Sequence, residues 1–536
     1  MNNIQAYNQA EINVNSKIPR TMQKIIFDKF DTINMGELGI GCALEVVPNQ
    51  FLKLNMKLLA RTASALIKPV MSNIYAQIAC FFVSNRLTND HWEEIMGENK
   101  QGPWITNKTE YEVPYITAPS GGWQKGTVAD KLGIRTKTEN LKINSHYTKG
   151  YCQIWNDFYR DENINNLTHI TKDSTNLEGS NGDNYVTDPE KGGKLLKVCK
   201  KHDMFTSLVR TPQKGPDVLL PLGQSAPVVT NSDNIFVRQD EKEGFLNKYS
   251  DGVGIYDYGN GFVNGTAIQF DDNRNNWKAD LTSATAASVN ELRMAIALQQ
   301  MYELDTMGTR YNELIYNHFG CRTGDARLQR AEYLGGKDIP INVAQVIQTS
   351  STNETSAQGN LSGISMAYDE DEYFSHNFVE HGIFYLLIAF KQEHAYQQGL
   401  NAKFSRFKRT DYYDPIFANI GMQPIFNREI YATGTDKDNQ VIGYNEAWAN
   451  YRYHPSEICG QFRSDEDGTL DMYHLADDFG ETPTLSDEFI FETKDNLDRC
   501  LAVPSSEQDQ FLYQMHFEFT TILPMPVHSL PGLKRL

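Results

Sequence analysis

The chain has 536 residues, 40% hydrophobic and 22% charged, which is the composition of a folded, core-forming protein and excludes a disordered one. Its net charge of −18 rules out bulk attraction to nucleic acid, so any such contact needs a local basic patch. The longest apolar run, Ile383 to Phe390, has eight residues where a membrane helix needs about 20, and the first residues lack the apolar core of a signal peptide.

In chain order, the first strong signal is Phe51 to Leu58, where Leu52, Leu54, Met56 and Leu58 alternate with more polar residues. That period of two predicts a half-buried strand. Residues 162–198 and 224–285 are rich in Asn, Asp, Gly, Ser and Thr and read as long loops. The second holds enough aromatics to form a small inserted subdomain. Ser288 to Glu291 fits a capping box opening a helix, and a second helix is expected from about Thr309 to Phe319, stopped by Gly320. Ile383 to Phe390 reads as a strand buried on both faces. Near the end, Phe511, Tyr513, Met515, Phe517 and Phe519 alternate as one apolar face of another strand. Strands near both ends predict a sheet that closes on itself, with long excursions between. No repeat of 20–50 residues is visible, and the two helices do not form a βαβ series.

Chemistry is sparse. There is no Gly-x-Ser-x-Gly, P-loop or His-Glu-x-x-His. The seven cysteines are scattered without a Cys-x-x-Cys pair, which points to small buried thiols in a protein folded in a reducing cytoplasm. Ser464 to Asp471 resembles a calcium loop, but its register fails, because Arg463 and His474 fall on ligand positions. His91 to Glu94 reads as an amphipathic turn with Trp92 buried. No catalytic residue, metal or cofactor is expected.

Charge is distributed unevenly. Asp465 to Asp509 holds fourteen acids against Lys494 and Arg499. Lys391 to Thr410 holds five bases, Lys391, Lys403, Arg406, Lys408 and Arg409, against Glu393. Phe404 and Phe407 interleave with them, and Tyr412 and Tyr413 follow. Cations that track phosphate beside rings that stack on bases suit single-stranded nucleic acid. The same pattern also suits a subunit contact anchored by Arg and aromatics.

Short blocks along the chain resemble the major capsid proteins of the microviruses, tailless phages with circular single-stranded DNA, and in particular the gokushovirus branch. These are FFVSNRL with HWEEIMGEN (81–99), IWNDFYRDENI (154–164), FTSLVRTPQKGP (205–216), GTRYNELIYNHFG (308–320), DARLQRAEYLGG with QTS (325–350), YQQGL (396–400), NEAWANYRYHPSEICGQFRS (445–464), LDMYHLADDF (470–479) and PMPVHSLPGL (524–533). Each is short, but nine in order across 81–533 are specific. Arg210 before Thr211-Pro212 and Ala331 after Gln-Arg depart from the family pattern, and both read as local packing changes.

The resemblance implies an eight-stranded antiparallel jelly roll of viral capsid type, one domain over 1–536, with a variable surface insertion at 224–285 that gathers at threefold axes. It implies a non-enzymatic shell protein of a T=1 icosahedral virion, assembled in the bacterial cytoplasm. The partners it implies are copies of itself, the single-stranded DNA genome, a small basic DNA-binding packaging protein, a DNA pilot protein and a host receptor. The alternative is a β-sandwich carbohydrate-binding protein or glycoside hydrolase, whose paired carboxylates no local motif supports.

Three sets of residues follow as candidates. Lys403, Arg406, Lys408, Arg409, Lys534 and Arg535 are candidate DNA-facing groups, together with an inward N-terminal arm. Trp155, Tyr159 and Tyr451 are candidate subunit contacts. Tyr249, Tyr256, Tyr258 and Phe262 are candidates for host contact, by stacking on a surface sugar or else as the insertion's own core. The acidic insertion is expected to face water and receptor.

Overall fold

The computed structural model describes residues 20–100, 102, 109–218, 228–230, 235–239, 242–249, 252–257, 269–270, 277–279, 289–352 and 357–528. It divides into two compact units, residues 1–212 with 308–536, and residues 213–307.

The first unit is built on eight strands: β1 Thr21–Ile33, β2 Gly39–Val46, β3 Gln50–Thr62, β4 Ile74–Ser84, β5 Glu332–Ile347, β6 Leu361–Phe378, β7 Gly382–Gln392 and β8 Phe511–Leu523. They pair in the order β1-β8-β3-β6-β5-β4-β7-β2, and every neighbouring pair is antiparallel. This is the jelly roll that the resemblance implies. Two four-stranded halves are joined where β5 and β6 change partners. Asn342–Ile347 pairs with Leu361–Met366, whereas the rest of β5 pairs with β4 and the rest of β6 with β3. A strand that switches sheets turns a corner of the sandwich. A bulge at Tyr333/Gly335 and another at Glu372/Phe374 supply local bends.

The alternation read from the sequence sets the core. Leu52, Leu54, Met56 and Leu58 of β3 and Phe511, Tyr513, Met515, Phe517 and Phe519 of β8 are all buried. They meet β7 across the sandwich. Phe390 stacks on Phe511 at 4.2 Å, and Phe384 meets Phe519 edge-on at 5.9 Å. Strand β7 is buried along its whole length, as its unbroken apolar run requires. Its outer face lies under the helix His146–Ile154, where Tyr385 donates to the Tyr147 carbonyl at 2.8 Å. Gly150 makes that approach possible, since a Cβ there would stand 2.3 Å from the Tyr385 hydroxyl.

The sheet's ends, β1 and β2, do not share a ladder. Lys29 links β1 to β2 instead, and Lys131, from the helical turn Val128–Lys131, fastens that turn to β1. The Lys29 ammonium donates to the Ile40 and Lys131 carbonyls, and the buried Lys131 donates to Asp31 at 2.6 Å and to the Thr32 carbonyl. One carbonyl on each edge strand, Ile40 on β2 and Thr32 on β1, is thereby satisfied.

The expected helix near 309–319 is Tyr311–Phe319, closed by Gly320 in the left-handed region at φ 65°. Residues 162–198 hold only a two-residue strand and one 3-10 turn. Trp92 is a correction: it is half-buried, edge-on to His146 and His381.

The second unit contains a four-stranded sheet in the order Gly252–Asp257, Lys242–Tyr249, Ile235–Gln239, Gln269–Phe270. A helix, Val289–Thr306, ends it, so the unit is wider than 224–285. Ser288 lies outside the described residues.

Phe517→Ala is expected to cost about 3–5 kcal/mol, because it empties a fully buried site between sheets. His516→Ala, its outward neighbour, should stay within about 0.5 kcal/mol. Urea unfolding followed by tryptophan fluorescence compares the two.

Candidate assembly and nucleic-acid interface

The basic run leaves β7 and turns through three short 3-10 segments, Ala402–Ser405, Arg409–Asp411 and Pro415–Phe417. Each is shaped by a nearby polar side chain. Asn401 accepts from the Lys403 N–H, Asp411 from those of Phe407 and Lys408, and Asp414 from that of Ile416. These local bonds replace a ladder and leave the large side chains outside. Phe407 is 86% exposed and Ile416 84%, with Phe404, Tyr412 and Tyr413 also exposed.

The cations differ in their freedom. Lys403 pairs with Glu457 at 2.8 Å and lies over the Phe404 ring. The Arg406 guanidinium stacks on Tyr451 at 4.1 Å. Lys408 and Arg409 are exposed, and among the described residues neither makes an ion pair. Tyr451 is half exposed, and its hydroxyl accepts from the Tyr413 N–H at 3.2 Å. A residue read as a subunit contact and residues read as DNA-facing thus form one continuous patch. Contiguous exposed rings of this kind mark interaction surfaces.

Trp155 is a correction. It has no exposed surface within its own chain, and its indole N–H donates to the Lys197 carbonyl at 2.7 Å, so it offers nothing to a neighbour. Tyr159 is half-buried, 6.1 Å from Phe81. Tyr249 pairs with Gly252 and Tyr256 with Phe245 in one hairpin of the second unit. Tyr258, Phe262, Lys534, Arg535 and the N-terminal arm up to residue 19 lie outside the described residues.

The quoted sequence blocks bind one another. Gln397 exchanges hydrogen bonds with Ser464, at 2.8 and 2.9 Å, and Gln398 bonds to Asp478 and Phe479. Asp157 accepts from the Ala331 N–H at 2.9 Å, and Arg310 pairs with Glu162. Asn445 donates to the Met204 carbonyl at 3.0 Å. Many of these residues knit the long loops together within one chain.

At the start of the segment that leads from β7 to the patch sits a buried charge cluster with no local motif to announce it. His394 Nδ1 lies 2.9 Å from Asp477, and Nε2 lies 3.0 Å from Glu492. Lys200 meets Asp477 at 3.2 Å, and Asn496 donates to it at 2.6 Å. All four charged side chains are almost fully buried. An imidazole whose two nitrogens both face carboxylates must donate from both, so it is the cation. Burial pushes the His394 pKa down, but Asp477 and Glu492 outweigh it and raise it to about 9. Asp477 is held well below the usual carboxylate range, because His394 and Lys200 more than offset its burial. The cluster fastens the start of segment 393–400, which carries the chain into the patch. Its carboxylates are neutralised and closed to solvent, so they form no glycosidase pair across a cleft.

The capsid protein (F protein) family matches residues 12–533. The chain belongs to this microvirus capsid family. It is 37% identical over 535 residues to capsid protein VP1 of Spiroplasma virus 4, covering 97% of this chain and 96% of that protein. It is 34% identical to capsid protein VP1 of Chlamydia phage 1, covering 97% and 98%, and 36% identical to that of Bdellovibrio phage phiMH2K, covering 94% of each. A structural role in the virion accounts for a fold with large exposed aromatic surface.

The raised His394 pKa gives a pH dependence with a definite sign. Its stabilising contribution is complete below the ordinary histidine value of about 6.5 and is lost as pH rises through about 9. His394→Gln should destabilise by roughly 3–5 kcal/mol near neutral pH, since it leaves buried carboxylates undercompensated. The gap between wild-type and variant melting temperatures should close between pH 7 and 10. A gap that stays constant would deny His394 its charge.

Proposed function

We propose that copies of this chain assemble into a T=1 icosahedral shell around a circular single-stranded DNA genome. Membership of the capsid family along nearly the whole length carries this reading. The jelly roll supports it, because a chain present in many copies must leave few open sheet edges, and Lys29 links the end strands β1 and β2.

Within that reading, the patch from Lys403 to Arg409 with Tyr451 meets the genome. Exposed rings beside Lys408 and Arg409, which make no ion pair among the described residues, support it, since stacking and phosphate neutralisation need both. The N-terminal arm, with Lys534 and Arg535, is assigned to the same inner side. The subunit's −18 charge leaves much of the DNA charge to a small basic packaging protein. A DNA pilot protein belongs to the same particle. The insertion at 224–285 faces outward and meets the host receptor, with nine acids against five bases between 228 and 280. Tyr249, Tyr256, Tyr258 and Phe262 are its candidate contacts, and a surface glycan is one candidate ligand.

Size-exclusion chromatography of the purified chain should give megadalton particles; a stable monomer or dimer would favour the carbohydrate-binding alternative. Lys408→Ala with Arg409→Ala should flatten the salt dependence of single-stranded DNA binding by roughly 1.4 in log–log slope, at about 0.7 per phosphate contact. An unchanged slope removes the patch from the DNA side. Particles lacking 230–278 should assemble but fail to adsorb, and normal adsorption would remove the receptor role.

A further inference from the structure

A second groove, distinct from the patch, lies on the outer face of β4, β5 and β7. It encloses about 530 Å³ and is lined on its other side by Phe158, Tyr159 and residues 199–202. Its floor follows from strand register. Gly336 pairs with Ala79, so two residues with almost no side chain sit side by side mid-floor. Asp338 pairs with Gln77 to one side, and Tyr333 with Phe81 to the other. Beyond Gln77, Tyr75 pairs with Lys391 of β7. From Tyr75 to Phe81 the strand advances six residues, about 20 Å at roughly 3.3 Å each.

The two ends differ in chemistry. At one end, Phe81, Phe158 and Tyr333 form an aromatic wall, with Phe81 4.9 Å from Phe158 and 5.6 Å from Tyr333. Tyr333 is half exposed and offers a ring face. At the other end stands Lys391, only 9% exposed. The groove's other lysines are occupied: Lys200 by Asp477, Lys201 by Glu393, and Lys337 by Asp369 and Asp371. Lys391 has no hydrogen bond or ion pair among the described residues, and Asp338, the acid lining the groove, does not pair with it. Burial lowers the Lys391 pKa, and the nearby charges of Glu492 and Asp338 offset only part of that. A nearly buried ammonium with no hydrogen bond or ion pair of its own costs stability. Its placement is accounted for by an anion that arrives from outside.

We infer that this groove binds a short stretch of single-stranded DNA, with a phosphate on Lys391 and a base against Tyr333. Gly336 leaves room for the Tyr333 hydroxyl, which would stand 2.8 Å from a Cβ there, and Asp338 offers an acceptor to an exocyclic amine. The width across three strands and the separation of cation from ring suit a strand better than an isolated ion. The site is independent of the patch at 403–409. Only the identity of the strand as genome rests on the shell reading.

The test is fluorescence anisotropy with labelled dT10 on the full chain carrying Lys408→Ala and Arg409→Ala, so that the patch is silent. Sedimentation scores shell formation in parallel. In that background Lys391→Met should weaken dT10 at least tenfold and flatten the salt slope by about 0.7, one phosphate. Its melting temperature should equal or exceed that of its parent. Tyr333→Leu should weaken dT10 several-fold without changing the slope. Variants that bind dT10 like their parent overturn the proposal. So does a Lys391→Met chain that melts well below its parent, which would assign Lys391 to the fold. Displacement by dTMP at the same concentration as dT10 would overturn the assignment to a strand in favour of a free nucleotide. A chain that binds dT10 in the groove but forms no shell would retain this site and refute the shell.

Discussion

The burial of β7 on both faces governs the rest of the architecture. Its apolar run leaves no side for water, so one face must meet a second sheet and the other a layer of helix. The first demand is answered by β8 and β3, whose inward faces are apolar at alternate positions. The second is answered by His146–Ile154, set close by Gly150 against Tyr385. Once β7 is enclosed, the excursions between strands can only run over the outside of the sandwich. That is where the unsatisfied polar groups, the exposed rings and the grooves are found.

Long loops without regular structure need another source of order, and here it is polar. Side chains of Gln397, Gln398, Asp157, Asn445 and Arg310 reach across the chain to backbone and to each other. The His394 cluster is the most concentrated case. Four charges are removed from water, and only their mutual compensation makes that tolerable. The result is a loop layer held at particular places by contacts of high sequence separation, which also holds the exposed patch in shape.

The same economy separates the groups that serve the fold from those that do not. Lys29, Lys131, Lys200 and Lys337 all have partners in the chain. Lys408 and Arg409 are unpaired and exposed, and Lys391 is unpaired and nearly buried. Trp155 illustrates the opposite error. Its sequence neighbourhood, with Phe158 and Tyr159 between acids, reads as a surface anchor, yet the ring closes the core above Lys197. Aromatic residues in a polar block look alike whether they point in or out, because a helical or irregular segment has no period of two to sort them.

The sequence alone determined the strands and their faces wherever the side-chain period was strict. Phe51–Leu58 and Phe511–Thr520 are strands with the faces their alternation implies, since burial and pleat share that period, and the unbroken apolar run Ile383–Phe390 is a strand buried on both faces. It also determined the family, through blocks whose order survives although their contacts are unseen, and the basic run beside its aromatics, which is local. The tertiary structure decided everything that joins distant residues. It put Tyr451 under Arg406, set His394 between Asp477 and Glu492, and left Lys391 alone at the end of a groove floored by Ala79 and Gly336. None of these has a sequence signature. Each depends on strand register and loop placement, which are set by the packing of the whole sandwich and not by any short window of residues.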